Sequence, residues 1–207
     1  MENFNFRYVK TQALITIIAI FAAALFATNK YLSAHWGLSF SVFAVLGFLF
    51  GLINNFLWNV RPCSWMYNVQ DFTGRYEGTL RYEFRNEKCE LITDSLEHIK
   101  VIKQNGSCIV INSFTRKKDG TLSSPSVSKE ASIVKESDGT FSLIYHYLNE
   151  GNSELGYPPH YGTEILKLIE KDNIKYLVGR YYTERLPFST KGKIDLTFKN
   201  KKLHHEK

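Results

Sequence analysis

The chain has 207 residues, with Lys and Arg exceeding Asp and Glu by six and hydrophobic residues making up 44%. That length suits one medium domain plus an attachment. The charge divides evenly, +3 on each side of Pro62, with both signs interleaved throughout the second part, which argues against a DNA- or RNA-polymer binder. The cysteines Cys63, Cys89 and Cys108 match neither CxxC nor Cys/His ligand spacing, so free thiols in a reducing compartment are expected.

Ala13–Thr28 and Leu38–Trp58 carry no charge. Crossing a hydrocarbon core takes roughly 17–25 apolar residues. A helix at about 11–32 meets that need only by recruiting Thr11, Gln12 and Asn29–Leu32, and the second, at about 38–58, has the longer uncharged run. Residues 1–62 are therefore expected to form a transmembrane hairpin. A cleaved signal is the rival for the first segment, but its apolar run exceeds the usual length and a second run follows closely. Arg7, Lys10 and Arg61 flank the pair while the connecting loop holds only Lys30, which predicts both termini in the cytoplasm. Trp36, Trp58 and Trp65 fall near the expected interfaces. The Gly47–Gly51 spacing either permits close helix approach or reflects the general frequency of glycine in membrane helices. Asn54 and Asn55 either hydrogen-bond between helices or contact headgroups, the second being the favoured expectation.

From Tyr67 the period becomes two. Gly74, Tyr76, Gly78, Leu80 and Tyr82 share one face, with charged residues opposite. Seven further runs follow: "HIKVIKQ", "CIVINSFT", "SVSKEASIV", "TFSLIYHYLNE", "GTEILKLIE", "NIKYLVGRYYTER" and "GKIDLTFK". Asn105-Gly106 and Asp138-Gly139 mark turns, and "KKDGTLSSP" reads as a polar loop. An even antiparallel meander closes on itself to remove its edges. The predicted fold over 66–200 is a small antiparallel eight-stranded up-and-down β-barrel of lipocalin-like form, with a basic tail at 201–207.

Enzymatic motifs are lacking: there is no phosphate loop, nucleophile elbow or HExxH helix. His146 is expected to point outward, and His160, after two prolines, has no identifiable catalytic partner. No catalytic residue, metal or cofactor is predicted. One strand face carries Leu143, Tyr145, Tyr147 and Asn149; another carries Leu177, Gly179, Tyr181, Thr183 and Arg185. These suit an aromatic cavity with a few polar groups, but strand ends also turn polar wherever they meet solvent. The row Ser124, Ser126 and Ser128 is equally ambiguous.

"DFTGRYEGTL", "SSPSVS", "LIYHYLNE", "HYGTEILKL", "LVGRYYTER" and "GKIDL", in this order behind two apolar segments, give the chain a further meaning. It resembles the CD-NTase-associated protein 15 family, membrane effectors of bacterial CBASS anti-phage systems. The resemblance implies a β-barrel receptor for a cyclic dinucleotide made by a partner nucleotidyltransferase. It also implies homo-oligomerisation on binding, insertion in the inner membrane bilayer, and membrane disruption that kills the cell. The ligand contacts it suggests are Tyr145, Tyr147, His160, Thr163, Thr183 and Arg185, the last on a phosphate. The alternatives are a membrane-tethered calycin-like carrier of a fatty acid or other apolar ligand, and an anchored barrel with a filled interior.

Overall fold

The computed structural model describes residues 7–185 and 188–202, which form two compact units. The first runs to Asn68 and includes the turn Asn105–Cys108; the second holds Val69–Gln104 and the chain from Ile109 onward. Most of the basic tail, with His204 and His205, lies outside the described residues.

In the first unit, α1 spans Thr11–Trp36, four residues beyond the expected end, and stops where Gly37 adopts φ 65°. Its N–H there bonds the Ser33 carbonyl at 3.3 Å, so the left-handed conformation closes the helix. Ile15, Ile20 and Phe26 are exposed on α1. A helix apolar on every side suits lipid or a deep core. Among the described residues α1 is the one helix long and apolar enough to cross a membrane. The second helix, α2 (Val42–Leu52), begins later than expected because Ser41 caps it, accepting the Ala44 N–H at 3.3 Å. It continues as a π-helical turn, Ile53–Leu57, so that the whole apolar helix covers only Val42–Leu57. Of the two expected crossings, at about 11–32 and 38–58, only the first is met in length among the described residues. The two helices touch through an edge-on Phe26–Phe43 pair with ring centroids 6.5 Å apart.

Asn54 is buried rather than turned to headgroups. Its Oδ1 accepts the Ser107 hydroxyl and its carbonyl accepts the Gly106 N–H at 2.9 Å. The π-turn frees backbone groups from the ordinary helical ladder, and here the turn Asn105–Cys108 uses them.

The second unit is the predicted closed barrel of eight antiparallel strands in sequence order. They are β1 (Gly74–Arg85), β2 (Leu91–Gln104), β3 (Ile109–Arg116) and β4 (Leu122–Lys135), then β5 (Phe141–Asn149), β6 (His160–Lys171), β7 (Ile174–Thr183) and β8 (Lys191–Asn200). β1 pairs with β8 and closes the ring. The Asp172-Asn173 turn between β6 and β7 places both residues at positive φ, the two-residue hairpin geometry that follows strand twist.

Two strands start earlier than their apolar patterns suggest. Leu91–Leu96 of β2 pairs only with β1, so it needs no buried face. β4 begins at Leu122, inside the expected loop, because its serines point inward. Gly78 shows why the interior face is glycine-bearing: a Cβ there would collide with the Asp195 carbonyl and sit 2.9 Å from the Leu196 Cα of β8.

Candidate ligand-binding site

Alternation sorts the barrel interior into two halves. Toward one end, Tyr76, Ile102, Ile111, Leu143, Leu166, Leu177 and Leu196 fill the space and are essentially inaccessible. Each such side chain contributes roughly 1.5–3 kcal/mol by leaving water. Toward the other end the inward positions turn polar, and a cavity of about 720 Å³ opens. That volume lies within the roughly 300–1,000 Å³ usual for small-molecule sites.

A buried ionic layer separates the halves. The Lys100 ammonium on β2 is fully enclosed and lies 2.8 and 3.0 Å from the two Glu164 oxygens of β6. It also donates to Ser113 Oγ at 2.9 Å and Tyr145 Oη at 2.8 Å. Tyr145 in turn donates to Glu164 at 2.7 Å. All three ammonium protons are therefore used, which is what a buried cation requires. Burial lowers the Lys100 pKa and Glu164 opposes that shift. Burial first, and then Glu164, push the Tyr145, Tyr147 and Tyr181 phenols upward, so all three stay protonated near neutrality.

Above this layer the wall is rich in hydroxyls and amides. Asn149 Nδ2 donates to Ser124 Oγ at 2.8 Å and Ser126 Oγ at 3.0 Å, which places both serines on the inner face and resolves the ambiguous row. Ser128 Oγ instead accepts the Ile111 N–H at 2.9 Å. His98 Nδ1 lies 3.2 Å from Thr115 Oγ1. Burial, with the Lys100 charge second, holds the His98 imidazole well below the ordinary histidine range and hence neutral. At the mouth, Arg185 stacks on Tyr157 with its guanidinium carbon 5.1 Å from the ring centroid. Lys117 and Lys118 also line this opening.

The six residues expected to contact ligand fall into three groups. Tyr147, His160, Thr183 and Arg185 line the cavity. Tyr145 lies beneath it in the ionic layer. Thr163 stands on the outer face, bonded to His146 Nδ1 at 2.8 Å, because its neighbours Gly162 and Glu164 take the inward positions. Thr183 has a bracing part as well: its Oγ1 is 2.9 Å from Thr190 Oγ1 and accepts the Thr190 N–H at 3.0 Å. His160 Nδ1 faces the Pro158 carbonyl at 3.3 Å, and burial lowers its pKa.

Lys100, Glu164, His98 and Tyr157 were not singled out from the sequence. Glu164 had a usable signal, since it lies two residues from Gly162 and four from His160 on the inward face of β6. Lys100 had none, because Ile99 and Val101 on the opposite face of β2 are buried too.

The cavity offers hydroxyl, amide and imidazole groups above the paired Glu164 carboxylate, aromatic faces on its walls, and both cationic and acidic side chains, Arg185, Lys117, Lys118, Asp94 and Asp119. Such a site can hold a molecule with a planar polar part and an anionic part. Residues 67–198 match the family described as Cap15, cyclic dinucleotide receptor domain. No curated protein matches the chain.

Proposed function

The chain belongs to the Cap15 cyclic dinucleotide receptor family, and from that membership we propose that its barrel cavity binds a cyclic dinucleotide. Support comes from the cavity lining, where Arg185 and Lys117 stand beside a Lys118–Asp94 pair and the hydroxyls of Ser124 and Ser126 lie among apolar residues such as Leu80 and Leu96. Arg185 offers a planar donor fork suited to a phosphodiester, and tyrosine rings suit stacking on bases. Tyr147, His160, Thr183 and Arg185 are the proposed direct contacts. Tyr145 acts from beneath, through Glu164. A fatty acid carrier would instead need an apolar tunnel with charge confined to the mouth; Leu80, Phe84 and Leu96 would suit one, but Asn149, Ser126 and Glu164 in the same lining do not.

The wider reading is a membrane-anchored CBASS effector. Residues 1–62 form a two-pass anchor with both termini cytoplasmic, and the short α2 crosses with a local thinning of the bilayer or through oligomerisation. A nucleotidyltransferase supplies the ligand, whose binding favours a homo-oligomer through higher affinity for the assembled state. Crowded anchors then disrupt the inner membrane.

Calorimetry on the full chain in detergent tests the ligand assignment, with cyclic dinucleotides of differing bases and a fatty acid as probes. At least one dinucleotide should bind, and Arg185→Ala should weaken it about 10–100-fold, as expected for a charge-assisted bond of roughly 1.5–3 kcal/mol. Binding of the fatty acid alone rejects the reading. Replacing residues 1–62 with a soluble tag should abolish membrane permeabilisation in cells producing the dinucleotide; permeabilisation that persists rejects the anchor's role.

A further inference from the structure

We propose that His98 reads the edge of a nucleobase at the bottom of the barrel cavity and so sets which cyclic dinucleotide the barrel prefers. This rests on the dinucleotide reading above and goes beyond it by assigning base recognition to a residue outside the phosphate-facing rim.

His98 lines the cavity yet is 3% exposed. Its two ring nitrogens have different fates. Nδ1 is engaged by Thr115 Oγ1 at 3.2 Å, whereas Nε2 is buried without any protein partner. A buried polar atom without a partner is uncommon. The three such side-chain atoms among the described residues belong to Tyr76, His98 and Ser142, and of these residues His98 alone lines the cavity. Rotation about the broad sp³–sp² torsion of the ring is soft, so a modest turn presents Nε2 to an arriving group.

The surroundings decide what that group is. A neutral imidazole carries one N–H and one lone pair; Thr115 occupies the Nδ1 function and leaves the complementary one at Nε2. Of the charged residues that line the cavity, Glu164 is the one that belongs to the buried Lys100 layer. A phosphate placed there would face that carboxylate. A base edge, polar but uncharged, would not. Arg185, Lys117 and Lys118 line the cavity too, Lys118 being paired with Asp94, so a cyclic dinucleotide oriented with a phosphate against Arg185 lowers a base toward His98. Ser126 and Asn149, also on the wall, add hydroxyl and amide groups to the same depth.

Selectivity follows from the same geometry. A site that completes a buried hydrogen bond with one base leaves that bond unmade with another, and an unmade buried bond is the larger penalty. Replacing His98 should therefore change the ratio of affinities among dinucleotides. Loss of a wall residue with no reading role would lower all affinities alike.

The full chain in detergent is titrated with 3′,3′-cyclic dinucleotides containing adenine, guanine, cytosine or uracil, comparing wild type with His98→Phe and His98→Gln. The expected result is that His98→Phe weakens the preferred dinucleotide by about 10–100-fold while changing the poorest by less than about threefold. His98→Gln, which keeps a polar group at similar reach, recovers part of the loss. Equal losses across the series, or no loss, overturn the assignment while leaving the receptor reading intact. Wild type that binds none of them overturns both. If His98→Phe does not fold, ¹⁵N-histidine spectra of wild type decide the matter: the Nε2 resonance of His98 shifts on adding the preferred dinucleotide, and an unmoved resonance refutes the contact.

Discussion

Replacing Lys100 with Met should cost about 3–5 kcal/mol of barrel stability, the usual penalty for removing one member of a buried ion pair. The structure explains why the high end applies. Lys100 is fully enclosed and donates to Ser113, Tyr145 and Glu164. Without it the Glu164 carboxylate keeps Tyr145 as its remaining donor from this group. Glu164→Met should be comparably costly, since it strands the ammonium. The double replacement removes both charges and leaves only the Ser113 and Tyr145 hydroxyls short of partners, at about 1–3 kcal/mol each at most. The cycle should therefore be non-additive by several kcal/mol. Urea unfolding of the full chain in detergent, followed by circular dichroism at constant slope, measures all three. A single-variant cost under about 1 kcal/mol, or strictly additive costs, would refute the account of the layer as a coupled ionic unit.

Gly162→Ala would place a methyl against the Tyr147 ring, 2.8 Å from its Cε1. The ring should be displaced into the cavity, lowering dinucleotide affinity about tenfold, with urea midpoints changing little because a side chain can yield; unchanged affinity counts against Tyr147 as a cavity wall. Gly78→Ala meets backbone atoms of β8 instead, and an overpacking cost of about 1–3 kcal/mol is expected, readable as a lower midpoint. For His98, burial holds the folded pKa well below 6.5. Between that folded value and about 6.5 the unfolded chain binds the extra proton. Wild type is thus fully stabilised above that range and loses up to about 1.4 kcal/mol per unit as pH falls through it. His98→Phe lacks this loss, so the two midpoint-against-pH curves should diverge from pH 7 toward pH 5; parallel curves reject it.

The barrel was legible because most strands are covered on one side. "LVGRYYTER" put Leu177, Gly179, Tyr181 and Thr183 on one face, and all but the glycine are buried there. Arg185 lies past the strand end, where contacts beyond the strand's own alternation, with Thr183 Oγ1 and the Tyr157 ring, fix its place. Parity was informative on β6 as well, but it selects Glu164 rather than Thr163 for the interior. On β2 the pattern fails for a physical reason. His98 to Ile102 are buried without interruption, so the charge of Lys100 reads as a solvent-facing residue although it is the most enclosed cation in the barrel. The length of α2 was obscured by a cap, since Ser41 looks like one more tolerated hydroxyl in an apolar run until its bond to Ala44 is seen.

The filled lower half and the ionic layer give the cavity one doorway. A molecule inside must leave the way it came, last group in and first group out, past the Arg185–Tyr157 stack at the rim. Affinity chemistry should respect that polarity. A cyclic dinucleotide immobilised through its phosphate end can still lower a base to the bottom and retain the protein on a resin. The same molecule tethered through the base that goes in first has no room for its linker and should retain none.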